Sequence, residues 1–112
     1  MTPEQHRDLD ARLAVHWLGW VEVPVDGMDP CWVSPEGTNH AEPPPISSDW
    51  NAMGQLLAAV RAKHFRVHIE LADEFDSACE IWSEDGRSYL ASADALPEAV
   101  ALAVDQIPEA TP

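Results

Sequence analysis

Seven carboxylates and no Lys or Arg stand between Val67 and Gly86: Glu70, Asp73, Glu74, Asp76, Glu80, Glu84 and Asp85. A run this dense can do one of two things. It can keep a sheet edge solvated and unpaired. It can also present the charge pattern of a phosphate backbone to a basic groove, steering association at long range. Calcium is a poorer fit for Asp73-Glu74-Phe75-Asp76. An EF-hand loop wants oxygens at positions 1, 3 and 5, Gly at 6 and Glu at 12, and the spacing here differs.

Other side chains fall short of a chemical site. His64 and His68 are four apart, but a helix should end between them, so they need not share a face. His68-Ile69-Glu70 has the HxE of zinc deaminases, yet Pro30-Cys31 precedes it and the second Cys of a PCxxC is missing. No metal site is expected. His6, His16 and His40 read as surface or helix residues. Ser47, Ser48, Ser77, Ser83, Ser88 and Ser92 lack a GxSxG elbow and sit where caps, turns or strands use a hydroxyl. There is no P-loop and no GxGxxG. Neither a catalytic residue nor a cofactor is expected, and the chain is not read as an enzyme.

Five tryptophans in 112 residues is a high share. Most should lie in the core, where large aromatics contribute much buried area. An exposed one beside an acidic rim suits an interface. Trp82, between Glu80 and Glu84, and Trp50, beside a proline loop, are the candidate anchors.

The balance of charge sets the class of partner. The chain carries 20 Asp and Glu against 6 Lys and Arg, a formal charge of −14. Direct contact with a nucleic-acid backbone or an anionic membrane is not expected, because both are met by cations. Half of the cations, Arg61, Lys63 and Arg66, fall within six positions. Hydrophobic residues make up 46%, enough for a globular core. The length fits one domain over 1–112, with a core over about 4–107 and a frayed tail at 108–112. No apolar run reaches the roughly 20 residues of a membrane span. The N-terminus does not read as a signal peptide. Cys31 and Cys79 have no CxxC spacing and read as two buried free thiols. A cytoplasmic protein is expected.

These residues need elements to hold them. Thr2-Pro3-Glu4 opens a helix over 4–18, with Leu9, Leu13 and then Val15 to Leu18 on its apolar face, and Gly19 stops it. Short strands come next at 20–23, ending at Pro24, and at 31–33, joined through Asp26-Gly27. Residues 34–48 read as an ordered proline-rich surface loop. Ser48 or Asp49 caps a helix over 49–64, whose buried stripe is Trp50, Met53, Leu56, Leu57 and Val60. Strict alternation over 65–71 predicts a strand, with further strands at 78–83 and 87–92 around Asp85-Gly86. Asp94 caps a last helix over 95–107, with Pro97 and Glu98 in its first turn. The order is αββαβββα: an α+β fold, with a small antiparallel sheet of about five short strands flanked by three helices as an alpha-beta-alpha sandwich. Cover on both faces would put Trp82 and His68 under a helix.

Layout and residues together resemble the phage ABA-sandwich domain family, small proteins of bacterial viruses in which helices flank a sheet. Three segments carry the resemblance. His16-Trp17-Leu18-Gly19-Trp20 runs a helix into Gly-Trp ahead of an aromatic strand at Cys31-Trp32. Pro43-Pro44-Pro45-Ile46-Ser47-Ser48-Asp49-Trp50 is a proline-rich loop entering a helix. Ala91-Ser92-Ala93-Asp94-Ala95-Leu96-Pro97 leads a small-residue run into an Ala-rich last helix. Trp50 and Gly54 depart from the family pattern, whose second helix is more charged and carries its Trp further along. The family has no agreed catalytic residues, so the resemblance implies a fold and a viral origin but no chemistry.

Three functions are expected on these grounds. The first is a phage-encoded inhibitor of a host defence system, most specifically an anti-CRISPR-like protein in the host cytoplasm. Its acidic hairpin would cover a host protein's basic nucleic-acid-binding surface. The second is a sponge for a nucleotide second messenger, held by Arg61, Lys63 and Arg66 with a stacked Trp. The third is an oligomeric accessory or assembly protein, with open sheet edges available for a homodimer.

Overall fold

A computed structural model describes residues 1–71 and 77–108. Helix α1 spans Pro3–Leu13. Thr2 caps it reciprocally: its hydroxyl accepts from the Gln5 amide, and its own amide donates to Gln5 Oε1 at 2.8 Å. The helix then widens into one π-type turn over Ala14–Leu18 and ends at Gly19, whose φ of 76° is the left-handed value that closes such ends. Val15, expected on the apolar face, is exposed.

Strands β1 (Val21–Val25), β2 (Met28–Val33) and β3 (Asn39–His40) form a first antiparallel sheet in the order β1-β2-β3. Both long strands exceed the lengths expected for them. β1 continues through Pro24, and β2 starts three residues before Cys31 and contains Pro30. The ladder shows how. Val23 pairs with Cys31 and Val25 with Met28, so the register slips where Pro24 faces Asp29 and Pro30. Two residues that lack an N–H sit at the irregularity, where no regular rung is lost. Only Trp32 of this sheet is buried.

The proline-rich segment is not the surface loop the sequence suggests. Pro43, Pro44, Ile46 and Ser47 are buried, and Ile46 is fully enclosed in the core. Asp49 then caps α2 (Trp50–Ala62), accepting from the Ala52 amide at 2.9 Å. Ala52, Met53, Leu56 and Val60 are buried. Trp50 opens the helix beyond the edge of the core and is exposed, not part of the buried stripe.

Strands β4 (Arg66–Leu71), β5 (Ser77–Trp82) and β6 (Ser88–Ala93) form the second antiparallel sheet, in that order. α3 (Leu96–Asp105) closes the described chain. Its cap position is Ala95, which offers no side-chain oxygen, so Asp94 does not cap it as expected. Ala99, Val100, Ala101, Ala103 and Val104 are all fully buried. A helix enclosed nearly all round occupies the middle of a fold. α3 lies on β5 and β6 and also touches α1 and α2. Its small side chains allow those neighbours a close approach.

The class is α+β, as the residue pattern indicates. The strands number six among the described residues, against about five expected; β3 is the addition. The cover differs from expectation. In register, Val67–Ile81–Tyr89 and Ile69–Cys79–Ala91 face α3 and the core. The opposite face carries Arg66–Trp82–Ser88, His68–Glu80–Leu90 and Glu70–Ala78–Ser92. His68, Trp82 and Leu90 are exposed there, so no helix of the described residues covers them.

Candidate functional site

The outer face of the second sheet gathers part of the acidic run. β4 and β5 alternate strictly, so Glu70 and Glu80 project from the same side. His68 sits directly opposite Glu80, and Leu90 opposite it on β6. Trp82 is 41% exposed and Leu90 60%. Two apolar side chains, flanked by two carboxylates, a histidine and Arg66, make a small mixed surface, and among the described residues β4 and β6 are the edges of this sheet.

The seven acids do not form one patch. Asp73, Glu74 and Asp76 lie outside the described residues. Glu84 and Asp85 belong to the turn between β5 and β6. The level of Glu70 and that of Trp82 are four residues apart along β5, roughly 13 Å, and the turn lies beyond Trp82. Asp85 is also engaged locally. The Ser83 hydroxyl donates to it, the Arg87 amide donates at 3.3 Å, and the Arg87 guanidinium lies 3.4 Å away. The Ser83 bond, above all, holds its carboxyl below the usual range. Asp85 therefore stabilises the turn, whose Gly86 has a φ of 90°.

The cations separate too. Lys63 lies over the Trp17 ring at 5.0 Å, and Trp17 meets Phe65 edge-on at 5.9 Å. Arg61 and Arg66 instead line a cleft of about 930 Å³ with His64, Trp82, Ser83 and Glu84. His64 stands just past α2 with φ 68°, an uncommon backbone state outside glycine. Among the described residues, no three of His, Cys, Asp and Glu converge as a metal-ligand set.

One constellation is not legible from residue spacing. Ser47 Oγ lies 2.8 Å from His6 Nδ1, and His6 Nε2 lies 3.8 Å from Glu98. The Ser47 amide donates to Asp10 Oδ1 at 2.7 Å. The residue types are those of a nucleophilic triad. Their setting is not, because Ser47 is only 2% exposed and its own amide is given to Asp10. The network ties α1, the proline-rich segment and α3 together. Burial pushes the Asp10 carboxyl up, against the hydrogen bonds of Ser47 and the nearby His6. The only signal in the sequence is an Asp within an apolar helix face, one residue after Leu9.

The two thiols differ. Cys79 is fully buried in β5, which pushes its pKa up to about 11 and leaves it unreactive. Cys31, expected to be buried, is half-buried. Among the described residues, no helix is long and apolar enough to cross a membrane. No family model, curated protein or solved structure matches the chain.

Proposed function

We propose that the chain is a non-enzymatic inhibitory binding protein that docks through the open outer face of its second sheet. The partner class is a host protein with a basic nucleic-acid-binding surface, and the most specific version is a CRISPR effector blocked by a phage protein. The observation that carries this reading is the uncovered face itself. Leu90 stands exposed opposite Glu80, Trp82 stands exposed one level beyond it and Glu70 one level before it, on a chain of net charge −14. An aromatic anchor supplies contact area, and the surrounding charge supplies steering and selectivity for a positive surface. The viral setting comes from the resemblance of three segments to the phage family. Asp73, Glu74 and Asp76 extend the same charge in sequence.

The test is inhibition of guide-loaded CRISPR effectors cutting labelled target DNA. The wild-type chain should suppress cleavage by at least one effector class. Glu70→Lys with Glu80→Lys should weaken that suppression about tenfold or more, since like charges then face the basic groove. Absence of inhibition across effector classes, or equal inhibition by the reversed variant, contradicts the reading.

A second reading rests on the first sheet. β1 is an edge strand, and Val21, Val23, Val25 and neighbouring Met28 are all exposed. Edge-to-edge association of two copies through β1 would cover them and make the chain an oligomeric accessory protein. Light scattering decides this. A monomer mass at high concentration rules it out.

A further inference from the structure

The chain has six Lys and Arg for 20 carboxylates, so a guanidinium without an acidic partner is unexpected. Arg7 pairs with Glu42, Arg12 with Asp105 and Arg87 with Asp85. Lys63 rests on Trp17. Of the guanidinium groups, Arg61 and Arg66 alone have no carboxylate within ion-pair distance among the described residues, and both line one cleft. The dipole of α2 favours cations at its C-terminus, which accounts for Arg61 and His64. It does not account for Arg66, which stands on β4 directly opposite Trp82 and on the same face.

We infer that this cleft binds a single small nucleotide. Arg61 and Arg66 reach the phosphate with planar donor forks, and His64 adds a ring N–H. The exposed indole of Trp82 offers a stacking surface for the base. Glu84, at the lip, accepts from ribose hydroxyls. The cleft volume falls within the range of small-molecule sites. The chain's own charge sets the upper limit on the ligand. Two arginines can hold one or two phosphates, whereas the field of 20 carboxylates repels a longer polyanion. The site is therefore one for a mononucleotide or cyclic nucleotide, and not for a nucleic-acid strand. It goes beyond the partner-docking reading and does not depend on it.

The experiment is titration calorimetry of the full chain with 5′-mononucleotides and 3′,5′-cyclic mononucleotides of each base. Ribose 5-phosphate, the free nucleosides and inorganic phosphate serve as partial ligands. At least one nucleotide should bind, and ribose 5-phosphate should bind about tenfold more weakly because it cannot stack. Arg61→Gln with Arg66→Gln should abolish the heat while thermal melting stays that of a folded chain. Trp82→Ala should weaken nucleotides about tenfold and leave phosphate binding alone. Glu70→Lys with Glu80→Lys, which tests the docking face, should retain nucleotide binding. No heat across the panel, unchanged affinity in the double Gln variant, or equal affinity for nucleotide and bare phosphate overturns the inference.

Discussion

The two sheets of this protein have the same strand count and the same antiparallel pairing, yet opposite fates. The second sheet gives one face to α3 and the core, where Cys79 and Ile81 are fully buried. The first sheet buries Trp32 and little else, and every residue of β1 is exposed. The difference lies in the segment that leaves the last strand of each sheet. β6 runs directly into an Ala-rich helix that folds back on β5 and β6. β3 runs into a proline segment that leaves the sheet and enters the core by itself. Alternation of apolar and polar residues thus makes a strand, but a packing partner decides whether its apolar side becomes core. The second sheet is also the one with two distinct faces: one holds the fold, and the other remains available for recognition.

The sharpest way to break this comparison is to truncate equivalent strand positions. Ile81→Ala in β5 should cost about 2–5 kcal/mol in urea denaturation, through lost burial and a residual cavity. Val23→Ala in β1 should stay within about 0.5 kcal/mol, because its side chain already meets water. Similar losses at the two positions would mean that the first sheet is part of the stabilising core.

A middle-sized effect is expected at Asp10, whose network joins α1 to the segment leaving the first sheet. Asp10→Ala should cost about 1–3 kcal/mol, since the buried Ser47 amide loses its acceptor. Asp10→Asn keeps an acceptor and removes a buried charge. The folded carboxyl has a pKa above the ordinary 3.8, so the folded state holds the Asp10 proton more tightly than the unfolded state does. Its contribution is therefore favourable below 3.8 and declines as pH rises through the folded value. The stability of Asp10→Asn relative to wild type should rise across that window and level off by neutral pH. A difference that is flat in pH would show that burial does not govern this carboxyl.

The smallest effect is chemical. In the native state a thiol reagent should label Cys31 of β2 and spare Cys79 of β5, which should react only on unfolding. Simultaneous labelling of both would contradict the contrast between the sheets.

Much of this framework can be read from residue types alone. Thr2-Pro3, Asp49 and the Asp-Gly turns at 26–27 and 85–86 act through neighbours in sequence, and their elements start or turn near the expected residues. Alternation over 65–71 locates β4 and its two faces. The departures share one physical origin, which is that distant segments decide them. Pro24 reads as a strand end, but it is tolerated inside β1 because it meets the irregular stretch around Asp29 and Pro30 across the ladder. The proline run reads as surface, but Ile46 and Ser47 are drawn in by Asp10, 37 residues before Ser47. The number of helices suggests cover over Trp82 and His68, whereas α3 is central and α1 packs behind it. The candidate site is half legible. The identity of the acids and of both exposed tryptophans is readable. That Glu84 and Asp85 sit at the far end from Glu70 requires the register of β4 on β5, and that Arg61 joins Arg66 and Trp82 in one cleft requires the packing of α2 against β4.

The most direct test of the docking face is ¹⁹F spectroscopy of the chain labelled with 5-fluorotryptophan, with resonances assigned by single Trp→Phe substitutions. In the free chain, the Trp82 resonance should show a large H₂O/D₂O isotope shift, and Trp32 almost none. On addition of an effector that the chain inhibits, Trp82 should lose that solvent shift. A Trp82 already shielded in the free chain, or still solvent-exposed in the inhibited complex, would contradict the account.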